Sequence, residues 1–294
     1  MTVRPEPTVR QRRLGSELRR LREGAKISQR DAGAHIDGGQ GKLSKIETGR
    51  QNIRRLELLA LLELYRVEDE GVRDALLSLL REVRKKGWWH QHSGELSSNT
   101  LDVISLEEEC DRILHYCNMT LPDLLQTDEY AAALIAGLEP HLSEEQVRLS
   151  VRIRMRRQRI LDRTDPPQFL GVLDEALLRR PVGGVDVMAR QLRKLIAVSH
   201  GPEVVVQVVP FDRAVYPGVH GSFRALLNSS PVALDVVEAA HWAGDHHMED
   251  PVDVEKCRLL FDEIRSSALS SRQSMELISQ ILIDFENGRE RAFP

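Results

Sequence analysis

Apolar residues recur at helical spacing through the N-terminal third of the chain. Leu14, Leu18 and Leu21 mark one face over residues 12–25, with Arg12, Arg13, Arg19, Arg20 and Arg22 around the rest of the cylinder and Gly24 as a stop. A second helix is predicted over residues 29–36, burying Ala32 and Ile36. Ser28 is its cap, because a hydroxyl there can accept from a first-turn N–H, and Asp31 follows three residues later. After the turn Asp37-Gly38-Gly39, a third helix over residues 40–48 buries Leu43 and Ile46, and Gly49 ends it. Asn52 is the predicted cap of a fourth helix carrying Ile53, Leu56, Leu59, Ala60 and Leu64. A fifth runs over residues 70–86 and ends in basic residues before Gly87.

The pattern then changes. Residues 88–100, rich in Ser, Asn, Gly and Thr at their end, read as a linker. Helical spacing returns over residues 106–119 and 128–138, and a long arginine-rich helix is predicted over residues 143–161. Beyond Pro166-Pro167, short strands are predicted at 169–173, 203–210, 223–227 and 232–237, the second marked as buried by its β-branched run Val204-Val205-Val206-Gln207-Val208-Val209. Helices are predicted at 187–199, 252–267 and 274–287. The fold class expected is a mainly α N-terminal domain of five helices, then a mixed α/β domain with about four short strands. The limits expected are a flexible arm at 1–11, the helical domain at 12–87, the linker, the second domain at 101–287 and a tail at 288–294.

Composition narrows this picture. A chain of 294 residues exceeds one usual domain, and 41% hydrophobic with 29% charged residues is ordinary for a globular protein. No apolar run approaches the roughly 18–20 residues of a membrane helix. The first 13 residues lack the apolar core of a secretory signal, and Cys110, Cys117 and Cys257 form no CxxC pair. The compartment expected is the cytoplasm. The net charge of −4 is unevenly placed: residues 10–55 hold 13 Lys+Arg against 5 Asp+Glu, so the remainder carries −12. Only this short window suits a polyanion.

Two short helices joined by a glycine turn inside a set of five are the parts of a helix-turn-helix. Ser28-Gln29 at the second helix and Ile46-Glu47-Thr48-Gly49 at the end of the third give residues 12–65 a close resemblance to DNA-binding domains of the xenobiotic-response-element type, the family of lambda Cro and repressor. That resemblance implies double-stranded DNA as the partner and the third helix as the reader. Its exposed base-reading candidates are Gln40, Lys42, Ser44 and Lys45. Gln40 suits adenine N6/N7, and the two lysines suit guanine O6/N7 or phosphate. Gln29, at a helix N-terminus, and Arg50, Asn52 and Arg54, beyond the reader, suit phosphate contacts. Gly41 is a gap where such domains usually carry a side chain. His35 is expected to face partly inward as a structural residue. Operators demand about −12 kcal/mol of binding, which few contacts from one head supply, so a homodimer on a palindromic site is expected.

The second domain has blocks of its own: Leu121-Pro122-Asp123-Leu124-Leu125-Gln126-Thr127, Leu173-Asp174-Glu175-Ala176-Leu177-Leu178, Val182-Gly183-Gly184, and Val206-Gln207-Val208-Val209-Pro210. Together they resemble the C-terminal domain of unknown function found behind such heads in actinobacterial regulators of the WhiJ-like or Scr-type, antitoxin-like class. That resemblance implies a small protein partner encoded nearby. Asp123 stands where those proteins commonly have Gly.

Several side-chain groups in this domain are open to two readings. Asp174 and Glu175 follow a strand, as an acid/base pair or as favourable charge at a helix N-terminus. His241, Asp245, His246 and His247 cluster around Trp242 and Gly244 without a known metal-ligand spacing. His220-Gly221-Ser222-Phe223 faintly resembles the His-x-Lys of phospholipase-D-like folds, with the Lys replaced. Arg152, Arg154, Arg156, Arg157 and Arg159 read as a solvated helix face paired with nearby acids, with extra DNA contact as the alternative. Cys110 and Cys117, seven apart, read as one buried helical face, with redox sensing as the alternative. No catalytic residue, metal site or cofactor is expected. The rivals kept open are a small-molecule effector site in the α/β half and an enzyme fused to the head.

Overall fold

In the computed structural model, which describes residues 7–84, 87–92, 94–96, 98–229, 235–239 and 246–288, the chain becomes helical at Thr8. The Thr8 hydroxyl accepts from the Gln11 N–H at 3.2 Å, and the Thr8 N–H donates to Gln11 Oε1 at 2.8 Å. The helix α1 (Val9–Gly24) thus begins inside the stretch expected to be a flexible arm. Its start is fastened: the Val9 N–H donates to Asp102 at 2.9 Å, and Arg10 donates to the Ser105 carbonyl at 2.8 Å and pairs with Glu109 at 2.6 Å. No hydrophobic spacing betrays contacts made to residues so distant in sequence.

Two compact units divide the chain: Met1–Glu109 with Asn228–Leu234, and Cys110–Leu227 with Asp235–Pro294. In the first, α1 is followed by α2 (Gln29–His35), α3 (Gly39–Glu47), α4 (Arg55–Leu64), α5 (Glu70–Arg84) and α6 (Ser98–Glu107). Ser28 caps α2 by accepting the Asp31 N–H at 3.1 Å. Leu14, Leu18, Ala32, Ile36, Leu43, Ile46, Ile53, Leu58, Leu61 and Leu62 form one buried cluster. The α2–α3 turn is tight enough to demand glycine, since a Cβ on Gly33 would lie 2.3 Å from the Gly39 carbonyl oxygen. Gly49 leaves α3 at φ +71°, a left-handed conformation that favours glycine.

Three local expectations for this unit change. The residue capping α4 is Arg54, whose N–H donates to Glu57 at 2.8 Å, while Asn52 instead accepts from the Gln11 amide at 2.9 Å. His35 is exposed rather than inward. Trp88–His92 forms a 3₁₀ turn with Trp89 buried, and α6 starts at Ser98, within the stretch read as a linker.

The second unit is built on a six-stranded sheet, against about four strands expected. Its strands are β1 (Arg112–Cys117), β2 (Gln168–Asp174), β3 (Val204–Val209), β4 (Phe223–Leu227), β5 (Val236–Ala239) and β6 (His246–Met248). The order is β3-β2-β1-β4-β5-β6. β1, β2 and β3 run parallel, and β4, β5 and β6 extend the sheet antiparallel. The parallel crossovers are helical, as they must be to return the chain: α7 (Asp128–Leu138) and α8 (Glu144–Arg157) precede β2, while α9 (Glu175–Arg179) and α10 (Val185–Val198) precede β3. Two helices close the unit, α11 (Pro251–Ser267) and α12 (Ser271–Glu286). Val254, Phe261 and Ile264 of α11 cover one sheet face, against Leu114, Tyr116, Val172, Phe223 and Val237.

β1 corrects the expectation of a helix over residues 106–119. Its residues are buried on both faces in the middle of the sheet, so they do not alternate, and a short apolar run reads equally as a buried helix. Cys110 and Cys117 therefore do not share a helical face: Cys117 ends β1 and Cys110 precedes it. The arginine-rich helix stops at Arg157 and continues as a 3₁₀ turn over Gln158–Asp162. The strand expected at 232–237 is found as Val236–Ala239, and residues 232–234 lie outside the described residues.

Candidate nucleic-acid interface

On α3, Gln40, Gly41 and Lys45 are exposed, as is its C-cap Thr48, and Ser44 is half-buried. Spaced one, four, five and eight residues from Gln40, they share one helical face, opposite the buried Leu43 and Ile46. Thr48 was not singled out in the sequence, though the spacing from Gln40 and Ser44 reaches it. Its hydroxyl donates to the Ser44 carbonyl at 2.8 Å. A Cβ on Gly41 would meet nothing within 4 Å, so this glycine is not required by packing.

Lys42 stands off that face. Its ammonium pairs with Glu57 at 2.8 Å and donates to the Ile36 carbonyl at 3.2 Å, tying α3 to α4. Burial works to raise the Glu57 carboxyl, but the Lys42 ammonium and the Arg54 N–H outweigh it and hold the group below its usual range.

Beneath the exposed face, α3 is anchored by Glu47, whose side chain is almost wholly buried. It accepts from Arg22 Nε at 2.6 Å and from the Gln29 amide at 2.7 Å, and Arg22 also donates to the Ile27 carbonyl at 2.9 Å. One carboxylate thus fixes α1, the start of α2 and the end of α3 together. The Gln29 side chain, read in the sequence as a phosphate contact, is engaged inside the head. Arg50, Asn52 and Arg54 are exposed.

Much of the positive charge of residues 10–55 is spent internally. Arg10, Arg13, Arg19, Arg20, Arg22 and Lys42 all pair with carboxylates. Lys26, Arg30, Lys45, Arg50, Arg54 and Arg55 are exposed with no ion pair among the described residues. These are the charges available to a polyanion.

The candidate groups of the second unit are placed as follows. Asp174 caps α9, accepting the Ala176 N–H at 2.8 Å, and its other oxygen accepts the Tyr216 hydroxyl at 2.5 Å. Glu175 pairs with Arg179 at 2.7 Å and accepts the Phe211 N–H at 2.9 Å. The two carboxylates thus have separate partners. His220 is exposed at the end of a 3₁₀ turn. His246 and His247 lie on β6, and His241, Trp242, Gly244 and Asp245 lie outside the described residues. No group of three metal-ligating side chains occurs among the described residues.

The arginine run is not uniformly solvated. Arg152, Arg156 and Arg159 are exposed, whereas Arg157 turns inward onto Asp123 at 2.6 Å and Arg154 onto the Gln126 side chain at 2.7 Å. Partners in and beside the 3₁₀ turn Asp123–Leu125, invisible in a linear charge pattern, decide this. All three cysteines are buried, and burial pushes the Cys117 thiol upward and that of Cys257 up to about 12.

No helix among the described residues is long and apolar enough to cross a membrane. A family model described as a domain of unknown function (DUF5753) matches residues 100–280, and one described as a helix-turn-helix domain matches residues 13–76. No curated protein and no solved structure matches the chain.

Proposed function

We propose that this chain, which belongs to the DUF5753 family and carries a helix-turn-helix domain ahead of the shared region, is a sequence-specific DNA-binding transcription regulator. The observation that carries this reading is the exposed face of α3, five residues aligned on one side of a short helix whose other side is locked into the head. Gln40, Ser44 and Lys45 are its base readers, joined by Thr48. Gly41 lets the groove edge approach the backbone closely. Lys42 acts through its bridge to Glu57 by setting the angle of α3, not by touching bases. Arg50 and Arg54 hold phosphates, with Asn52 beside them, while Gln29 reaches a phosphate only by leaving Glu47.

The protein works as a homodimer on a palindromic site, since one face of this size supplies too few contacts for operator affinity. The sheet unit controls the head, through a small protein partner as in antitoxin-like systems or through a small-molecule effector. It has no catalytic role in this reading, because its candidate carboxylates are taken up by a helix cap, a tyrosine and an arginine.

The test is binding by the full chain to sites selected from random duplex DNA. Gln40→Ala and Lys45→Ala should each weaken binding about 5- to 100-fold, as loss of a base contact does, with circular dichroism unchanged. Unchanged binding in both variants would remove α3 from the reading role.

A further inference from the structure

Register across the sheet places polar residues in one transverse row. His115 on β1 lies opposite Arg224 on β4, Arg224 opposite Glu238 on β5, and Glu238 opposite His247 on β6. On the other side of His115 the partner is Gly171, which presents no side chain. The row lies on the sheet face away from α11, because its neighbours in sequence, Leu114, Tyr116, Phe223 and Val237, point to the α11 side.

Four cations gather there, Arg154, Arg157, Lys194 and Arg224, and two of them sit directly on carboxylates. Asp123 is shared by Arg157 at 2.6 Å and Arg224 at 3.4 Å, and Glu238 is held by Arg224 Nε at 3.1 Å. Both carboxylates are therefore occupied. The remaining cations have only neutral acceptors: Arg154 donates to Gln126 Oε1 at 2.7 Å, and Lys194 donates to the Gln126 carbonyl at 2.7 Å and to Gln158 Oε1 at 2.6 Å. Burial drags both groups below their usual values, by disfavouring the charged form. Asp123 near Arg154, and Asp162 and Asp128 near Lys194, offset part of this charge, but none of them hydrogen-bonds either cation, so an anion here would make direct contacts that the fold leaves unmade.

Two further features mark the place as a binding site and not as closed structure. The Nδ1 atom of His115 is buried with no hydrogen-bond partner, beside the same Asp123, Arg157 and Arg224 charges that surround Arg154. His115, Asp123 and Arg154 each keep part of their surface exposed to solvent.

We propose that this face of the sheet binds a small molecule through its carboxylate or phosphate group, with Arg154 as the principal charge partner, Lys194 as the second, and His115 Nδ1 as the neighbouring polar contact. The inference rests on the second unit alone and stands apart from DNA binding by the head.

The experiment is calorimetric titration of the full chain with inorganic phosphate and with citrate, each against sodium chloride at matched ionic strength. A saturable response to one of them, and not to chloride, is expected, and which of the two responds tells phosphate from carboxylate. Arg154→Gln should weaken it at least 10-fold and Arg154→Lys by less. Lys194→Gln provides a second variant should Arg154→Gln fail to fold. Lys45→Ala/Arg54→Ala should leave the response unchanged, which separates this site from the phosphate contacts of the head. No response above chloride, or an equal response in folded Arg154→Gln and Lys194→Gln, overturns the proposal.

Discussion

Two glycines of the head predict opposite outcomes for the same substitution. A Cβ at Gly33 would stand 2.3 Å from the Gly39 oxygen and 2.4 Å from its carbon, both backbone atoms that cannot swing aside. Ordinary contact requires α2 and the start of α3 to part by about 1 Å. Overpacking of this kind costs up to about 3 kcal/mol, offset by about 1 kcal/mol of gained helix propensity, so Gly33→Ala destabilises the head by about 2 kcal/mol. At Gly41 the same methyl meets nothing within 4 Å, and Gly41→Ala stabilises the head by about 0.5–1 kcal/mol. Native-state hydrogen exchange at the Leu43 and Ile46 amides of the full chain reads the head's own stability. Exchange should become about 30-fold faster in Gly33→Ala and roughly 2- to 5-fold slower in Gly41→Ala. No acceleration in the first, or acceleration in the second, would refute the packing argument. If Gly41→Ala is also the tighter-folded but weaker DNA binder, the glycine serves the groove and not the fold.

Three other expectations follow from single groups. Arg54→Ala should lower the slope of log affinity against log salt by about one, as loss of one phosphate contact does, while Arg22→Ala should instead unfold the head; an unchanged slope would take Arg54 off the backbone. Burial, aided by Arg224, lowers the His115 imidazole to about 4 from an ordinary 6.5. Its contribution is therefore complete above about pH 6.5 and lost as pH falls through 4, up to about 3 kcal/mol, and hydrogen exchange at β1 should show a smaller pH 7-to-4.5 difference in His115→Leu than in the wild type. An equal difference in both would show that His115 does not titrate with folding. The buried thiols of Cys110, Cys117 and Cys257 should react with Ellman's reagent only on unfolding, and rapid reaction of the native chain would reopen the redox reading.

The head was legible because its instructions are local. Ser28 caps the helix it precedes, Gly49 ends the helix it follows, and Leu43 with Ile46 mark a face three residues apart. What stayed hidden depends on partners far along the chain. The pairing of Lys42 with Glu57, fifteen residues on, has no local signal in the sequence. Arg10 and Arg22 counted towards a basic window but are neutralised inside the unit. β1 hid among helices because a strand covered on both faces has no alternation to read. The row from His115 to His247 exists only once strand register is known, and Arg154 and Arg157 gained their inward role from Gln126 and Asp123, an earlier segment entirely.

If the exposed face of α3 reads DNA sequence, base preference must depend on its side chains. The most direct measurement is selection from a random duplex pool by the full chain, repeated with Gln40→Ala and with Lys45→Ala. One enriched motif with two inverted half-sites is expected, losing its preference at particular base pairs in each variant, and unaltered by Lys42→Ala beyond a general loss of affinity. No enriched motif from the wild-type chain, or the same base preferences from both α3 variants, would contradict it.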